Sequence, residues 1–399
     1  MPPARLLFVH SSDPKDSLGG GETSLIALTE RLDPARWRPL VAISGPGEFE
    51  ARLQRAGVEV CLLPMDPLYV KLAETGWGDR ARLAAKAVGS VRALARLIRR
   101  EGVDLVCTNV QGGHLYGALA ARRSAKPLVT YMRDIPQGSF STRLLPWIGA
   151  RFSDRIVGTS HAVTRFFDEN PRYGGTLAAK TRVVFNGIDL EAVSPLPPDG
   201  AVLEEFGLQE AGPVIALVGR LQPLKGQKEL LQALPRVLQA LPGTRLLLVG
   251  EAFAYESEYA EALRRLTGEL GLAEAVVFTG QRRDVPEVLS ACDIVVSASW
   301  HEAFGRTVVE AMAMGKPVVA TRSGGPEDIV VDGETGLLVP VKDPEALGDA
   351  LVRLWADPVR ARRMGEKGRE RALQHFDIRR TVEGAEGVFD EVLEERARQ

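Results

Sequence analysis

Two short clusters in the second half of the chain combine charged side chains with glycines in a pattern suited to a phosphorylated ligand. Arg220 and Lys225 lie within Gly219–Gly226, which directly follows an apolar run and precedes a helical pattern from Gln227. Cations at the end of a strand and beside a helix N-terminus stabilise an anionic group together with the helix dipole. The alternative is that both side chains are solvated surface charges.

The second cluster, His301–Ala311, places two carboxylates around the predicted start of another helix near Gly305. Glu302 is expected in the loop at the helix mouth, and Glu310 inside the second turn among apolar neighbours. A carboxylate in that setting needs a partner, such as a pair of ligand hydroxyls. The backbone amides of Phe304–Thr307 offer a helix N-terminus to a phosphate or a sugar. An exposed helix face is the competing interpretation.

A glycine-rich segment, Gly19–Glu22, follows the first predicted strand and precedes a helical pattern over Thr23–Leu32. Gly20 and Gly21 would let the backbone approach a phosphate closely. The segment is neither a GxGxxG motif nor a P-loop, because no Lys-Ser or Lys-Thr pair follows it. A plain flexible turn is equally consistent with these residues.

The elements that must position these clusters are short apolar runs alternating with helical patterns. The runs are 6–9, 39–43, 58–62, 103–107, 128–131 and 155–158, and then 214–218, 245–249, 275–278, 294–296, 317–320 and 336–339. They predict an α/β fold with two doubly wound Rossmann-like domains and ligands at the strand carboxyl ends, in the cleft between the domains. The predicted boundaries are a domain over 1–190, a linker over 191–212, a domain over 213–375 and a helix over 376–399.

The composition is that of an ordinary globular protein. Of the 399 residues, 45% are hydrophobic and 26% charged, which excludes a mainly disordered chain. A formal net charge of -2 argues against binding to nucleic acid. Three separated cysteines and five scattered histidines have no metal-site spacing, so no metal site is predicted. No signal peptide or membrane-spanning stretch is recognisable, and a cytoplasmic location is expected.

The small net charge hides an uneven distribution. Residues 1–190 carry 26 Lys and Arg against 18 Asp and Glu, whereas residues 191–399 carry 24 against 34. Residues 79–101 form an amphipathic pattern with one apolar face (Leu83, Ala87, Val91, Leu94, Ile98) and one basic face (Arg82, Lys86, Arg92, Arg96, Arg99, Arg100). The pattern fits a helix packed on the sheet with a solvated basic face. It also fits contact with an anionic membrane surface, at the inner face of the cell membrane.

Taken together, these segments resemble the retaining glycosyltransferases of family 4, often called group 1, which have the GT-B fold. The resemblance covers nearly the whole chain and is most specific over residues 213–340. The matching motifs are Gly19–Glu22, Asn186–Asp189, Gly219-Arg220 with Lys225-Gly226, Glu302–Gly305 through Glu310–Ala313, Gly315–Ala320, and Asp332-Gly333 with Thr335-Gly336.

The resemblance implies that a hexosyl group is transferred from a nucleoside-diphosphate sugar, such as a UDP- or GDP-sugar, with retention at the anomeric carbon. The implied acceptor is a saccharide or a lipid-linked molecule, in cell-envelope, exopolysaccharide or glycoconjugate synthesis. No cofactor is implied beyond the sugar nucleotide, and no metal is required, because cationic side chains stabilise the leaving diphosphate. In this family the leaving phosphate is thought to accept the acceptor's proton during front-face attack.

The resemblance also implies roles for individual residues. Arg220 and Lys225 would neutralise the leaving diphosphate, and Glu302 would act as an orienting and electrostatic group at the donor sugar. The remaining donor-binding positions are Gly20 and Gly21 at the diphosphate, Phe304, Gly305 and Thr307 at the helix N-terminus, and Glu310 at the ribose.

One segment departs from the family pattern. Many members have a histidine after the strand predicted at 128–131, facing the donor sugar, whereas this chain has Arg133 and Asp134 there. Either residue could take that acceptor-side role, together with His114 or His10, and the sequence leaves the choice open.

Two other functions are compatible with the fold class. An epimerase that acts on the nucleotide sugar itself would need acid–base carboxylates at the sugar and no acceptor site. A non-catalytic sugar-nucleotide-binding module would be expected to lack some of the charged residues Arg220, Lys225, Glu302 and Glu310. All of these are present, and their pattern favours transfer.

Overall fold

The computed structural model describes residues 2–11, 18–65, 77–138, 141–209, 212–252 and 257–398, without the side chains of residues 77–84. The chain divides into two compact units. The first joins Met1–Asn186 to Ile378–Gln399, and the second is Gly187–Asp377. Each unit is an α/β structure built on a parallel sheet.

Within its described residues, the first unit contains a seven-stranded parallel sheet in the order β3-β2-β1-β4-β5-β6-β7. Its strands are β1 (Ala4–His10), β2 (Trp37–Ile43), β3 (Glu59–Leu62), β4 (Leu105–Thr108), β5 (Leu128–Met132), β6 (Arg155–Gly158) and β7 (Thr181–Val183). The apolar runs predict the first six. They miss β7 because it is three residues long, half-exposed and at the sheet edge.

The helices of the first unit connect the strands and cover the sheet. Those within the described residues are α1 (Gly20–Thr29), α2 (Glu48–Arg55), α3 (Trp77–Arg100), α4 (Gln111–Arg123), α5 (Ser141–Phe152), α6 (His161–Asp168), α7 (Gly174–Ala178) and, from the end of the chain, Ile378–Ala397, which is α16. Leu25 and Leu28 of α1 and Phe389 of α16 share one core with β1 and β2. Among the described residues, no helix has the length and apolarity to cross a bilayer.

Helix α1 begins earlier than the helical pattern over Thr23–Leu32 predicts. The Glu22 carboxylate accepts a hydrogen bond from the Gly19 N–H (3.1 Å), and the Thr23 N–H donates to the Gly19 carbonyl (3.1 Å). These two bonds close the first helical turn around Gly20 and Gly21. The two glycines therefore lie inside the helix and not in a free loop before it.

The second unit repeats the architecture. Its described part contains a six-stranded parallel sheet in the order β10-β9-β8-β11-β12-β13. The strands are β8 (Val214–Val218), β9 (Arg245–Val249), β10 (Val276–Gly280), β11 (Ile294–Ser297), β12 (Val318–Thr321) and β13 (Leu337–Val339), all predicted by the apolar runs. The helices are α8 (Gly200–Glu205), α9 (Gln227–Ala240), α10 (Ser257–Glu269), α11 (Val285–Ser290), α12 (Arg306–Ala313), α13 (Pro326–Ile329), α14 (Pro344–Trp355) and α15 (Pro358–His375).

The segment predicted as a linker, residues 191–212, belongs to the second unit, which begins at Gly187. Its proline-rich part stays outside helices and strands, but α8 follows at Gly200. The helix forms because Asp199 Oδ1 accepts hydrogen bonds from the backbone N–H groups of Ala201 (2.8 Å) and Val202 (3.1 Å).

Ion pairs hold α16 within the first unit. Glu391 accepts hydrogen bonds from Arg155 Nη2 (2.9 Å) and Arg182 Nη2 (2.5 Å), and Glu395 also pairs with Arg155. The hydrogen bond from Arg155 is the largest cause that holds the pKa of Glu391 below its usual range. Arg155 is nearly buried, so loss of this partner would leave its charge poorly solvated.

We predict that Glu391→Gln lowers the opening free energy of α16 by about 1 kcal/mol at neutral pH, measured by hydrogen exchange of its amides. Because the folded pKa is depressed, this contribution is present above the unfolded pKa and is lost as pH falls through the folded pKa. The difference from the wild type should therefore disappear in acid. Glu394→Gln is the control, since Glu394 pairs with the exposed Arg398. Equal losses of opening free energy in the two variants would contradict the role of Glu391 in holding α16.

Candidate functional site

The charged residues of the second unit lie where the strand order reverses. β8 and β11 are neighbours in the sheet although three strands apart in sequence order, and their carboxyl ends open side by side. Gly219–Gly226 follows β8, and Ala298–Gly305 follows β11. Such a reversal leaves a crevice at the strand ends, where open α/β sheets bind ligands.

These two loops pack against each other through their main chains. The Trp300 N–H donates to the Leu224 carbonyl (2.9 Å). Gly226 has φ +70°, and a Cβ there would lie 2.0 Å from the Ala298 carbonyl oxygen. Only glycine allows both this conformation and this approach. A short 3₁₀ turn, Pro223–Lys225, precedes Gly226 and leads into α9.

The loop contact brings Lys225 and Glu302 together. Lys225 Nζ lies 2.6 Å from Glu302 Oε2, and Ser299 Oγ donates to the same oxygen (3.2 Å). Neither side chain of the ion pair is fully buried, with exposed fractions of 28% for Lys225 and 17% for Glu302. A charged ligand can therefore reach both partners from solvent.

Main-chain bonds also fix the position of Glu302. Its N–H donates to the Ser323 carbonyl (2.9 Å), and its carbonyl accepts from the Gly325 N–H (2.7 Å). A Cβ on Gly325 would lie 2.2 Å from the Phe304 carbonyl oxygen, so the turn after β12 touches this loop directly. The glycines of this turn thus hold the loop that carries Glu302.

The remaining predicted donor-side residues surround the start of α12. Gly305 (φ +105°) precedes the helix, as predicted, and Thr307 Oγ1 lies 3.4 Å from the Val218 carbonyl at the end of β8. Glu310 is in the second turn, with Arg306 Nη2 at 3.5 Å from its carboxylate. The Phe304 ring is buried edge-to-face against Phe376, so only its backbone can serve a ligand.

Arg220 lies at the end of β8 on the same side of the sheet. It is half-buried, and its carbonyl accepts a hydrogen bond from Gln227 Nε2 (2.7 Å), which ties the loop to the first residue of α9. The structure therefore brings the clusters around Arg220 and Glu302 into one region of the second unit. In sequence, these two residues are 82 positions apart.

In the first unit, the strand order reverses between β1 and β4. His10 ends β1, and its Nε2 lies 2.9 Å from Glu22 Oε1 at the start of α1. Burial acts to raise the pKa of Glu22, but hydrogen bonds from His10 and from backbone N–H groups outweigh it and hold the pKa below its usual value. We refer to Gly19–Gly21 as the glycine turn.

Arg133 joins this part of the first unit from the end of β5. Its Nε donates to Asn109 Oδ1 (2.6 Å) and its Nη1 to Asn186 Oδ1 (3.0 Å). The guanidinium also stacks over the Tyr131 ring at 4.4 Å. The sequence motifs assign no role to Asn109, although its position directly after a buried strand is a signal that could have indicated one.

The other two acceptor-side candidates lie in different surroundings. His114 is buried in α4, with its Nδ1 2.7 Å from Thr108 Oγ1. Burial is the largest cause that lowers the pKa of His114, to about 3. A neutral, solvent-inaccessible ring does not fit the acceptor-side role that the sequence left open for it. Asp134 is exposed, beside the buried Arg133.

Cation-binding side chains do not cluster in the described part of either unit: no group of three or more His, Cys, Asp or Glu residues there could hold a metal ion.

Comparisons with known proteins cover both units. A family model described as "Glycosyl transferases group 1" matches residues 202–371, and one described as "Glycosyltransferase Family 4" matches residues 18–192. The chain is 37% identical to a GDP-mannose-dependent alpha-(1-6)-phosphatidylinositol monomannoside mannosyltransferase of Mycolicibacterium smegmatis, over 66% of this chain and 70% of the relative. It is 32% identical to a D-inositol 3-phosphate glycosyltransferase of Acidothermus cellulolyticus, over 70% of this chain and 65% of the relative.

Solved structures match this chain over almost its full length. Anabaena HepE in complex with UDP-glucose has a TM-score of 0.81 and 28% identity, covering 97% of this chain and 99% of that one. A sucrose-phosphate synthase of Thermosynechococcus elongatus has a TM-score of 0.80 and 23% identity, covering 97% and 98%, and shares the fold. The predicted α/β fold with two Rossmann-like domains is confirmed.

We predict that Gly226→Ala destabilises the second unit by about 3 kcal/mol or more, because it adds a clash with Ala298 to the strain of a left-handed alanine. Gly315→Ala is the matched control: Gly315 has nearly the same φ, +71°, but nothing lies within 4 Å of its added Cβ. It should cost about 1–2 kcal/mol. Urea unfolding of both variants measures the difference, and equal costs would rule out the close approach.

Proposed function

This chain belongs to the group 1 glycosyltransferases of family 4, with the GT-B fold, and we propose that it transfers a hexosyl group from a nucleoside-diphosphate sugar with retention at the anomeric carbon. The proposed acceptor is a saccharide or a lipid-linked molecule used in cell-envelope, exopolysaccharide or glycoconjugate synthesis. The family places the chain among enzymes that use nucleotide sugars.

The observation that carries the proposal is the Lys225–Glu302 pair, 2.6 Å apart at the carboxyl ends of β8 and β11. Arg220 lies in the same loop as Lys225, so the loop carries two cations that would stabilise the negative charge on a leaving diphosphate. Charges held in place before the reaction stabilise a transition state with little reorganisation. Glu302 orients Lys225 and is available to the hydroxyls of the donor sugar.

In the proposed reaction, the bond between the anomeric carbon and the diphosphate oxygen breaks, and the acceptor oxygen bonds to the same carbon. The leaving phosphate accepts the acceptor's proton, and no metal is required, since Arg220 and Lys225 stabilise its charge. Glu310, in the second turn of α12, would bind the ribose hydroxyls by releasing its weak contact with Arg306. The roles of Gly20 and Gly21 at the diphosphate stay predictions from the sequence.

The names of similar proteins support a UDP- or GDP-sugar as the donor. The Mycolicibacterium relative is described as GDP-mannose-dependent, and Anabaena HepE was solved with UDP-glucose. The proposed donor class therefore includes both UDP-sugars and GDP-sugars.

We further propose that the protein associates peripherally with the inner face of the cell membrane through α3 and α4. The basic residues of α3 with described side chains, Lys86, Arg92, Arg96, Arg99 and Arg100, are exposed, while Leu94 and Ile98 pack in the core. A cavity of about 490 Å³ between the two helices is lined by apolar side chains such as Val88, Val91 and Leu119 and by three arginines, Arg92, Arg122 and Arg123. Its charge and apolar lining suit the headgroup and chain of an anionic phospholipid.

We predict that Arg220→Ala and Lys225→Ala each lower turnover by about 10²-fold or more, the scale of a lost electrostatic donor. The assay measures release of UDP, GDP or ADP from a panel of sugar donors with saccharide and lipid acceptors. Lys228→Ala, a change at an exposed cation in the same region, is the control. Wild-type turnover in both site variants would contradict the assignment of Arg220 and Lys225 to the leaving diphosphate.

We also predict full activity when the assay contains excess EDTA. Strict metal dependence would contradict the proposed stabilisation of the diphosphate by Arg220 and Lys225.

For the membrane proposal, we predict co-sedimentation with vesicles that contain an anionic phospholipid and little with neutral vesicles. Arg92→Glu should weaken partitioning about fivefold or more, since each basic charge near such a surface contributes about 1 kcal/mol. Arg165→Glu, at an exposed position of α6, should have a smaller effect. Equal partitioning of the wild type to both vesicle types would exclude the electrostatic contribution.

A further inference from the structure

A buried chain of hydrogen bonds connects β5 to the glycine turn. Its polar members, His10, Ser24, Asn109, Arg133 and Asn186, are each less than 9% exposed. Buried polar groups must be matched donor to acceptor, so the direction of each bond follows from the chemistry of its neighbours.

Arg133 determines these directions, because a guanidinium only donates hydrogen bonds. Its Nε and Nη1 face Asn109 Oδ1 and Asn186 Oδ1, so both side-chain amides must present their carbonyls to Arg133. The two amide NH₂ groups then point away from Arg133, toward the start of α1. One cation thus orients two amides.

The orientation of Asn109 determines the tautomer of His10. Asn109 Nδ2 is a donor and lies 3.0 Å from His10 Nδ1, which must therefore accept. The imidazole is then neutral, with its proton on Nε2, and this N–H donates to Glu22 Oε1. The second oxygen of Glu22 accepts from the Gly19 N–H. Asn109 Nδ2 also lies 3.4 Å from the Gly21 carbonyl.

A second branch reaches the same segment through Asn186. Its Nδ2 donates to Ser24 Oγ (2.8 Å), and the Ser24 hydroxyl donates to the Gly20 carbonyl (2.6 Å). Both branches start at Arg133, and together they contact the backbone of all three residues of the glycine turn.

We propose that Arg133 is a positioning residue that holds the glycine turn in place by orienting Asn109 and Asn186 and by fixing His10 as the neutral Nε2–H tautomer. The planar guanidinium of Arg133 supplies two N–H donors that diverge, one to Asn109 and one to Asn186. Lysine, with a single ammonium, cannot reproduce this geometry. The consequence for sugar transfer rests on the proposed function, in which the glycine turn contributes to donor binding.

The tautomer is tested by ¹⁵N NMR of the full chain with labelled histidine. In the wild type at neutral pH, His10 should carry a proton on Nε2 only. Asn109→Asp keeps the side-chain shape but replaces the amide donor with a carboxylate that accepts from His10 Nδ1. His10 should then be protonated on both nitrogens at the same pH. A wild-type His10 protonated on Nδ1, or an unchanged His10 in Asn109→Asp, would overturn the proposal.

The positioning role is tested with Arg133→Lys, which retains the charge. We expect kcat/KM for the donor to fall about tenfold or more, mainly through a higher donor KM and with the acceptor KM unchanged, because a displaced binding element costs binding and orientation. Arg165→Lys, at an exposed site, is the control. Wild-type donor kinetics together with a wild-type His10 spectrum in Arg133→Lys would overturn the proposal.

The two measurements separate this inference from the proposed function. If Arg133→Lys fails to fold, Asn109→Asp, which changes one atom type, still decides the direction of the hydrogen-bond chain. If the wild type transfers sugar from none of the donors, the proposed function fails, while the His10 spectra still test whether Arg133 organises the turn.

Discussion

The chemistry of the second unit depends on one main-chain contact, the approach of Gly226 to Ala298. With no Cβ at residue 226, the loop after β8 can lie directly against the loop after β11, and Lys225 meets Glu302 as a result. Lys225 and Glu302 each supply the other with a partner, and a half-buried cation without a partner would be costly.

Both units place their polar residues at the same topological position. In each sheet the order of strands reverses next to the first strand of the unit, between β1 and β4 and between β8 and β11. Helices leave such neighbouring strands in opposite directions, so the space at their carboxyl ends stays open. The second unit fills this position with an ion pair at half-exposed side chains, whereas the first fills it with a buried network centred on Arg133. The same topology thus holds a partly exposed ion pair in one unit and a buried hydrogen-bond network in the other.

Three groups of basic residues in the described part of the N-terminal half lie in different surroundings. Arg155 and Arg182 pair with acidic residues of α16, which is distant in sequence but belongs to the same unit. Arg133 is buried in the hydrogen-bond chain. The arginines of α3 and α4 are exposed around an apolar cavity. The last group is exposed to an external anionic partner, whereas Arg133 and Arg155 are almost fully buried.

Local patterns in the sequence were sufficient for much of this protein. Continuous apolar runs predicted twelve strands, because strands buried on both faces need apolar side chains throughout, and glycines with neighbouring charges marked the loops of the second unit. The half-exposed β7 lacks that signal, and the Asp199 cap that starts α8 in the predicted linker is too small a signal to outweigh the adjacent prolines. What only the tertiary structure decided were contacts between distant residues: the pairing of Lys225 with Glu302, the burial of His114, and the chain from Arg133 to the glycine turn. Such contacts depend on strand order and on close packing between separate loops, and these are properties that no local stretch of sequence encodes.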